Sequence, residues 1–287
     1  MAKKNNKQQG GVKIPRFIII TGKILEKISP SLTTKFVRSL FSMPMNHKPR
    51  PHELPFLNKA ELSYIFVPEI GKKIAVYKWG NGPKKALIAH GWSSRPTQLH
   101  KFIEQLLERG YTVYGFDAPA HGKSSGKHTM MPEFVKTIEK IVEEYGPFDI
   151  AIGHSMGGIS LLNVQANKHS FKKMVIIGAP DSIKKIFYRF IELMELNPGI
   201  AKRLIDIFEE ITGKKMEEFH GSNLAKKIDI PVLIVHDEND NEVPLEDAVN
   251  NVKNLAKGQI YATKGLGHSR ILKDDEVVKN VMHFLSH

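Results

Sequence analysis

The chain has 287 residues, of which 41% are hydrophobic and 25% charged, a balance typical of a globular protein with a large core. It contains no cysteine, which excludes a disulfide framework, a thiolate nucleophile and a cysteine-ligated metal. Its net charge of +12 is uneven, because residues 1–60 hold twelve lysines and arginines against two glutamates, and only about +2 remains for residues 61–287. The main part of the chain therefore lacks the basic surface that nucleic-acid binding needs, and no nucleic-acid partner is expected.

The first 60 residues are predicted to form a basic extension ahead of the main domain. Residues 1–13 are polar and lysine-rich, which predicts a flexible tail. Apolar residues then recur at helical spacing over 14–42, and Pro30 divides them into two short helices. Two interpretations stay open: the helices dock on the main domain, or residues 1–42 make weak peripheral contact with an anionic membrane. The proline-rich stretch 43–59 predicts an extended connector.

Membrane insertion and secretion are not predicted. No apolar run approaches the roughly 18 to 20 residues that a membrane-spanning helix needs. Arg16, Lys23 and Glu26 interrupt the apolar region near the start, and no signal-peptide cleavage site follows it. We therefore expect a cytoplasmic protein, with any membrane contact confined to its periphery.

From residue 61 onward, short β-rich runs alternate with amphipathic stretches. Strands are predicted over 73–79, 86–90, 112–116, 150–153, 174–177, 232–236 and 259–262, and helices over 98–108, 132–145 and 243–254. This alternation predicts an α/β fold in which a mostly parallel sheet carries helices on both faces. Residues 182–227 are too long for a simple crossover and predict a helical cap inserted into a domain that spans 61–287.

A strand at 150–153 leads into a G-x-S-x-G turn centred on Ser155, and a helix follows over 159–165. Such a turn strains the backbone at the serine, and Gly153 and Gly157 leave the space that it requires. The helix also directs its first amides, including the Met156 N–H, toward any oxyanion that forms beside the hydroxyl. Ser155 is the predicted nucleophile.

A serine hydroxyl needs a base to take its proton, and the base needs a carboxylate to orient it. His268, between the last predicted strand and the final helix, is the predicted general base. Asp240, in the loop after the strand at 232–236, is the preferred acid, while Asp237, Glu238 and Asp181 stay open as alternatives.

The second donor to an oxyanion is expected in the turn 91–94, which follows the strand at 86–90. The Trp92 N–H is the first choice, and Gly91 is the alternative. His90 is interpreted as a residue that holds this turn in shape rather than as a catalyst.

Taken together, these segments resemble the α/β-hydrolase superfamily over about residues 64–287. The segments are 90–92, 116–124 and 153–158, then Asp240 with Val243-Pro244, and Gly267-His268. The resemblance implies a triad in the chain order Ser155, Asp240, His268 and hydrolysis through an acyl-enzyme. Two positions depart from the pattern of the superfamily. Asp237 stands where many relatives have glycine, and Ala120 stands at a position where glycine is commoner.

The sequence contains no motif for phosphate binding or for metal binding. Gly122-Lys123-Ser124 resembles the end of a phosphate-binding loop, but Asp117 stands where the first glycine is required. No histidine and carboxylate cluster has metal-ligand spacing, so neither a metal nor a cofactor is expected.

The sequence thus predicts a serine hydrolase that cleaves a carboxylic ester or thioester through an acyl-enzyme on Ser155. Amidase or perhydrolase activity on the same triad is an alternative within the fold. A non-catalytic binding or signalling module is the alternative from another class. The apolar composition of the cap predicts a small-molecule substrate with an apolar portion.

Overall fold

The computed structural model describes residues 14–287, and the predicted tail 1–13 lies outside this range. The helices are α1 (Arg16–Ile28), α2 (Pro30–Phe41), α3 (Leu54–Lys59), α4 (His100–Glu108), α5 (Met131–Tyr145), α6 (Met156–Lys168), α7 (Ile183–Leu193), α8 (Pro198–Thr212), α9 (Gly221–Ala225), α10 (Leu245–Lys253), α11 (Gly267–Arg270) and α12 (Asp275–Ser286). Short 3₁₀ turns lie at Pro51–Glu53, Pro68–Ile70, Pro96–Leu99, Met216–Phe219 and Ile271–Lys273. None of the helices within 14–287 has both the length and the apolar character that crossing a bilayer demands.

The strands form one sheet of eight. They are β1 (Glu61–Val67), β2 (Lys72–Trp79), β3 (Lys84–Ala89), β4 (Tyr111–Phe116), β5 (Phe148–His154), β6 (Phe171–Ile177), β7 (Val232–Asp237) and β8 (Gly258–Thr263). Their order is β1-β2-β4-β3-β5-β6-β7-β8, with β2 antiparallel to both β1 and β4 and all other neighbours parallel. The predicted α/β fold with a mostly parallel sheet is confirmed.

Both faces of the sheet are covered, as the near-continuous apolar strands require. Along β3 the side chains alternate: Leu87 joins a core formed with α5 and α6, and Ile88 joins a second core formed with α4 and α12. Both residues are fully buried. Because the carboxyl ends of the parallel strands meet at one edge of the sheet, the loops that follow β3, β5, β7 and β8 converge there.

The edge strand β1 was not predicted from the sequence. Its apolar residues Leu62, Tyr64 and Phe66 lie on the solvent face, whereas Ile65 and Val67 on the other face are buried. An apolar residue at nearly every position removes the alternation that identifies a half-buried strand. Hydrogen-bonded pairing with β2 from Glu61 to Val67 holds this segment as a strand, which the sequence pattern alone does not indicate.

The insertion after β6 forms the cap, which consists of α7, α8 and α9. Helices α1 and α2 pack against it: Gly22 lies close enough that an added Cβ would be 3.2 Å from Met194 Cε, and Glu26 Oε1 accepts a hydrogen bond of 2.7 Å from the Asn197 amide. At the end of α2, the Phe41 ring lies 4.6 Å from the Phe187 ring. The described part of the N-terminal extension therefore docks on the cap through one of its faces.

Candidate active site

Ser155 occupies a sharp turn between β5 and α6. Its backbone has φ 51° and ψ −118°, a strained conformation for a residue with a side chain. The Ser155 amide donates a 2.9 Å hydrogen bond to the Ile177 carbonyl at the end of β6, which fixes the turn to the neighbouring strand. This geometry is that of a nucleophile elbow, in which the hydroxyl projects above the sheet edge.

The glycines around Ser155 are required by close backbone approach. A Cβ on Gly157 would lie 2.3 Å from the Ala89 carbonyl oxygen, and one on Gly153 would lie 2.8 Å from the Gly158 backbone. On the opposite side of the turn, a Cβ on Gly91 would lie 3.0 Å from Ser155 Cβ. The turn after β3 therefore lies directly against the serine.

His268 and Asp240 form a close pair at the neighbouring strand ends. His268 Nδ1 lies 2.7 Å from Asp240 Oδ2, and the two side chains are 8% and 1% exposed. The amides of Glu242 and Val243 donate to Asp240 Oδ1 at 2.8 and 2.9 Å, so both carboxylate oxygens are occupied. Within residues 14–287, His268 Nε2 makes no hydrogen bond.

The carboxyl group of Asp240 is ionised. Burial alone would raise the pKa of Asp240, but the His268 imidazole and the two loop amides outweigh it, and the pKa of this carboxyl is lowered. Asp240 therefore stays negative at neutral pH and holds a proton on His268 Nδ1, since a carboxylate can only accept.

The other acidic candidates make different contacts. Asp181 Oδ1 accepts a 2.7 Å hydrogen bond from the Ser222 amide and thereby joins β6 to the cap. Glu238 is partly exposed and lies 3.6 Å from Lys264. Asp237 is buried, and its Oδ2 accepts hydrogen bonds from Thr263 Oγ1 at 2.7 Å and from the Leu266 amide at 2.9 Å. Asp237 thus holds the loop that carries His268, which gives its departure from glycine a structural purpose.

The histidine next to Ser155 in the chain joins the turn of Ser155 to the loop of His268. His154 Nε2 donates to the His268 carbonyl at 2.9 Å, and the two imidazole rings lie 4.6 Å apart. Burial and the nearby His268 lower the pKa of His154 to about 3, so it remains neutral. Ser155 and His268 are thereby brought together through backbone neighbours, although no direct hydrogen bond joins Ser155 Oγ to His268 Nε2 in the chain from 14 to 287. Such bonds often form only when substrate binds.

The predicted oxyanion donors lie on either side of the serine. Met156 is the first residue of α6, and Trp92 follows Gly91 in the turn after β3. Within residues 14–287 neither amide donates a hydrogen bond to a backbone carbonyl, so both remain available. The Trp92 ring packs between the rings of Phe41 and Phe134, at centroid distances of 6.5 and 6.4 Å.

Two buried histidines fix the turn that carries Trp92. His90 Nε2 accepts a 3.0 Å hydrogen bond from the Ala118 amide, and His121 Nε2 accepts one of 3.0 Å from the Ser93 amide. Burial lowers the pKa of His90 well below its ordinary value and that of His121 to about 4. Both rings are neutral, and a neutral imidazole is needed because a protonated nitrogen could not accept. His90 therefore has the shaping contacts expected from the sequence, whereas the part of His121 was not foreseen.

Glu242 was not foreseen either, and it approaches the second ring nitrogen of His268. Its Oε2 lies 3.9 Å from His268 Nε2. Arg189 of α7 donates to the carbonyls of Asn241 and Glu242, and thereby links the cap to the loop that carries Asp240. These contacts cross between distant parts of the chain, so no local sequence signal could have indicated them.

A cavity of about 1040 Å³ lies between α7 and the segment that contains Glu242. Its lining includes the apolar residues Pro180, Ile186, Ile191, Leu196, Pro198, Val243 and Pro244, with Lys184, Lys185, Arg189, Glu192 and Glu195 among its charged residues. Among the apolar cap residues, Ile186 and Ile191 line the cavity, and Ile191 also belongs to the buried core together with Phe187 and Met194. The cap therefore combines packing with cavity lining.

Burial would lower the pKa of His268, but the hydrogen bond and charge of Asp240, together with the charge of Glu242, prevail and raise it above 6.5. In the predicted role of general base, His268 can accept a proton only when Nε2 is unprotonated, so activity should rise with pH through a midpoint above the ordinary value of a histidine. Glu242→Gln should move that midpoint to lower pH, because it removes a charge that stabilises the imidazolium. The measurement is kcat/KM for a neutral ester between about pH 5 and 9.

Glu238→Gln is the matched control, because Glu238 lies in the same loop and pairs with Lys264 instead of the base. It should leave the midpoint unchanged. An unchanged midpoint in Glu242→Gln as well would show that this carboxylate does not act on the base.

Two family models match the chain: the one described as serine aminopeptidase, S33, over residues 82–220, and the one described as TAP-like protein over residues 210–287. With the fold, these matches identify the chain as a member of the α/β-hydrolase superfamily and as an enzyme of α/β-hydrolase type.

Particular relatives are distant. The chain is 25% identical to a non-heme haloperoxidase of Rhodococcus erythropolis, in an alignment that covers 81% of this chain and 99% of the relative. Among solved structures, an esterase of Pyrococcus furiosus superposes with a TM-score of 0.65 at 21% identity and covers 85% of this chain and 97% of the esterase. An esterase of Exiguobacterium antarcticum gives 0.61 at 19% identity, with 78% and 99% covered. At these identities the structural matches establish the fold alone.

Proposed function

We propose that the protein hydrolyses carboxylic esters through an acyl-enzyme on Ser155. The observation that carries the proposal is the 2.7 Å contact between His268 Nδ1 and Asp240 Oδ2, placed at the sheet edge where Ser155 stands in a strained turn. A buried, oriented imidazole beside such a serine is the arrangement that activates a hydroxyl as a nucleophile.

The proposed reaction has two halves. Ser155 Oγ attacks the acyl carbonyl while its proton passes to His268 Nε2, and the amides of Trp92 and Met156 bind the oxyanion that forms. Collapse of this intermediate breaks the bond to the alcohol, which leaves with the proton from His268. Water then attacks the acyl-enzyme, with His268 again accepting a proton. The bond between the acyl carbon and Ser155 Oγ breaks, Ser155 takes the proton back from His268, and the acid is released.

Perhydrolysis is a second candidate, supported by the relative named a non-heme haloperoxidase. Hydrogen peroxide would take the place of water in the second half of the reaction and release a peracid. Thioesters and amides would enter through the same first half, and the serine aminopeptidase name of the matching family favours including amides among the trial substrates.

A fluorophosphonate probe tests the proposal, because it labels an activated serine and spares a merely folded one. We expect stoichiometric labelling of the native protein, and turnover of p-nitrophenyl esters in a panel of rising acyl length. Adding hydrogen peroxide to the same assay and measuring peracid tests the second candidate. Absence of both labelling and turnover in correctly folded protein would favour a non-catalytic binding module.

A further inference from the structure

Helix α1 carries an apolar stripe that faces solvent. Phe17, Ile20, Ile24 and Ile28 follow one another at intervals of three, four and four residues, so they lie on one side of the helix. They are 69%, 52%, 55% and 67% exposed. The opposite side, which includes the buried Gly22, packs on the cap. The stripe is therefore a surface left over after docking, not a part of the core.

Basic side chains accompany the stripe. Arg16, Lys23 and Lys27 are exposed and lie on an adjoining strip of α1, as their spacing of seven and four residues indicates. Lys23 pairs with Glu195, while Glu26, the single acidic residue in the first 50, is engaged by the Asn197 amide on the cap side. Residues 1–13 add four lysines and no acidic residue to the sequence that precedes α1.

We propose that this face of α1 binds an anionic membrane surface. An apolar stripe beside lysines and arginines matches an interface in which acyl chains lie beneath negatively charged headgroups. The charge also argues against a second copy of the chain as the occupant, because two such faces brought together would place like charges side by side. Docking on the main domain and contact with a membrane, the two interpretations of the N-terminal helices, thereby apply to different faces of α1.

Cosedimentation of the full-length protein with vesicles tests the proposal. We expect binding to phosphatidylcholine vesicles that contain about 30% phosphatidylserine, weaker binding to pure phosphatidylcholine, and loss of the difference as salt rises from about 0.05 M to about 0.5 M. Ile20→Ser/Ile24→Ser should weaken binding on the order of 10-fold or more, since it removes two apolar side chains from the stripe. Arg16→Gln/Lys27→Gln should weaken binding to the anionic vesicles alone.

Ile211→Ser is the matched control, because Ile211 is 66% exposed on α8 and lies outside the stripe. It should bind vesicles as the native protein does. Thermal unfolding should be little changed in every variant, since each side chain replaced is exposed, and this separates lost binding from lost folding.

Two results would overturn the proposal. One is equal vesicle binding by the native protein and Ile20→Ser/Ile24→Ser. The other combines two observations: the native protein does not bind vesicles, and light scattering shows that it is a dimer which Ile20→Ser/Ile24→Ser dissociates. A second copy of the chain would then occupy the face. Neither readout depends on catalysis, so the outcome is independent of the proposed ester hydrolysis.

Discussion

Ser155→Ala is expected to reduce ester turnover by about 10⁴-fold or more and to abolish fluorophosphonate labelling, because it removes the only atom proposed to bond with the acyl group. The fold should survive, since the Ser155 amide and not its hydroxyl makes the hydrogen bond to Ile177. His268→Ala should be about as damaging, because the hydroxyl would keep its proton. Turnover of purified variants and their thermal unfolding are the two measurements.

Ser160→Ala is the control for this prediction. Ser160 lies one turn along α6, and its buried hydroxyl donates only to the Met156 carbonyl of its own helix at 2.7 Å. Its loss should leave labelling and turnover near the native level. If Ser155→Ala retained near-native turnover, the nucleophile would have to be sought elsewhere.

Asp240→Asn should lower kcat by about 10² to 10⁴-fold, less than loss of the nucleophile. An asparagine oxygen at Oδ1 could still accept from the Glu242 and Val243 amides, so the loop should keep its shape. The amide nitrogen would then face His268 Nδ1 and favour the tautomer with its proton on Nε2, where it cannot act as base. Turnover at a pH well above the His268 midpoint isolates this effect.

Asp181→Asn provides the comparison, because Asp181 accepts from Ser222 and lies at the junction of β6 with the cap. We expect a modest loss of stability and little change in kcat. A larger fall in kcat for Asp181→Asn than for Asp240→Asn would reverse the assignment of the acid.

The sequence was most informative where the chemistry is local. The turn around Ser155 could be predicted because strand, glycines, serine and helix are consecutive in the chain. Asp240 and His268 could be predicted because each follows a parallel strand, and such strands end at the same edge of the sheet. Which of Asp240 and Asp181 pairs with His268 needed coordinates, since both follow strands and only their side-chain contacts differ.

The parts that were missed depend on contacts between distant segments. Glu242 approaches His268 from a loop whose backbone carbonyls bind Arg189 of the cap. His121 contacts the turn after β3 from a different loop and resembles any other histidine in the sequence. Helix α1 is apolar on both sides, so its periodicity alone could not tell which residues dock and which face solvent.

The docking of α1 also orders events during synthesis. The hydrogen bond between Glu26 and Asn197 joins residues 171 positions apart. At about 5 to 20 residues per second, α1 leaves the ribosome roughly 10 to 30 s before its partner on the cap exists. We therefore expect the helix to spend that interval with both apolar sides uncovered, where chaperones or a nearby lipid surface can bind them. We also expect the assembly of the cap, α1 and α2 above the strand ends to be among the last steps of folding.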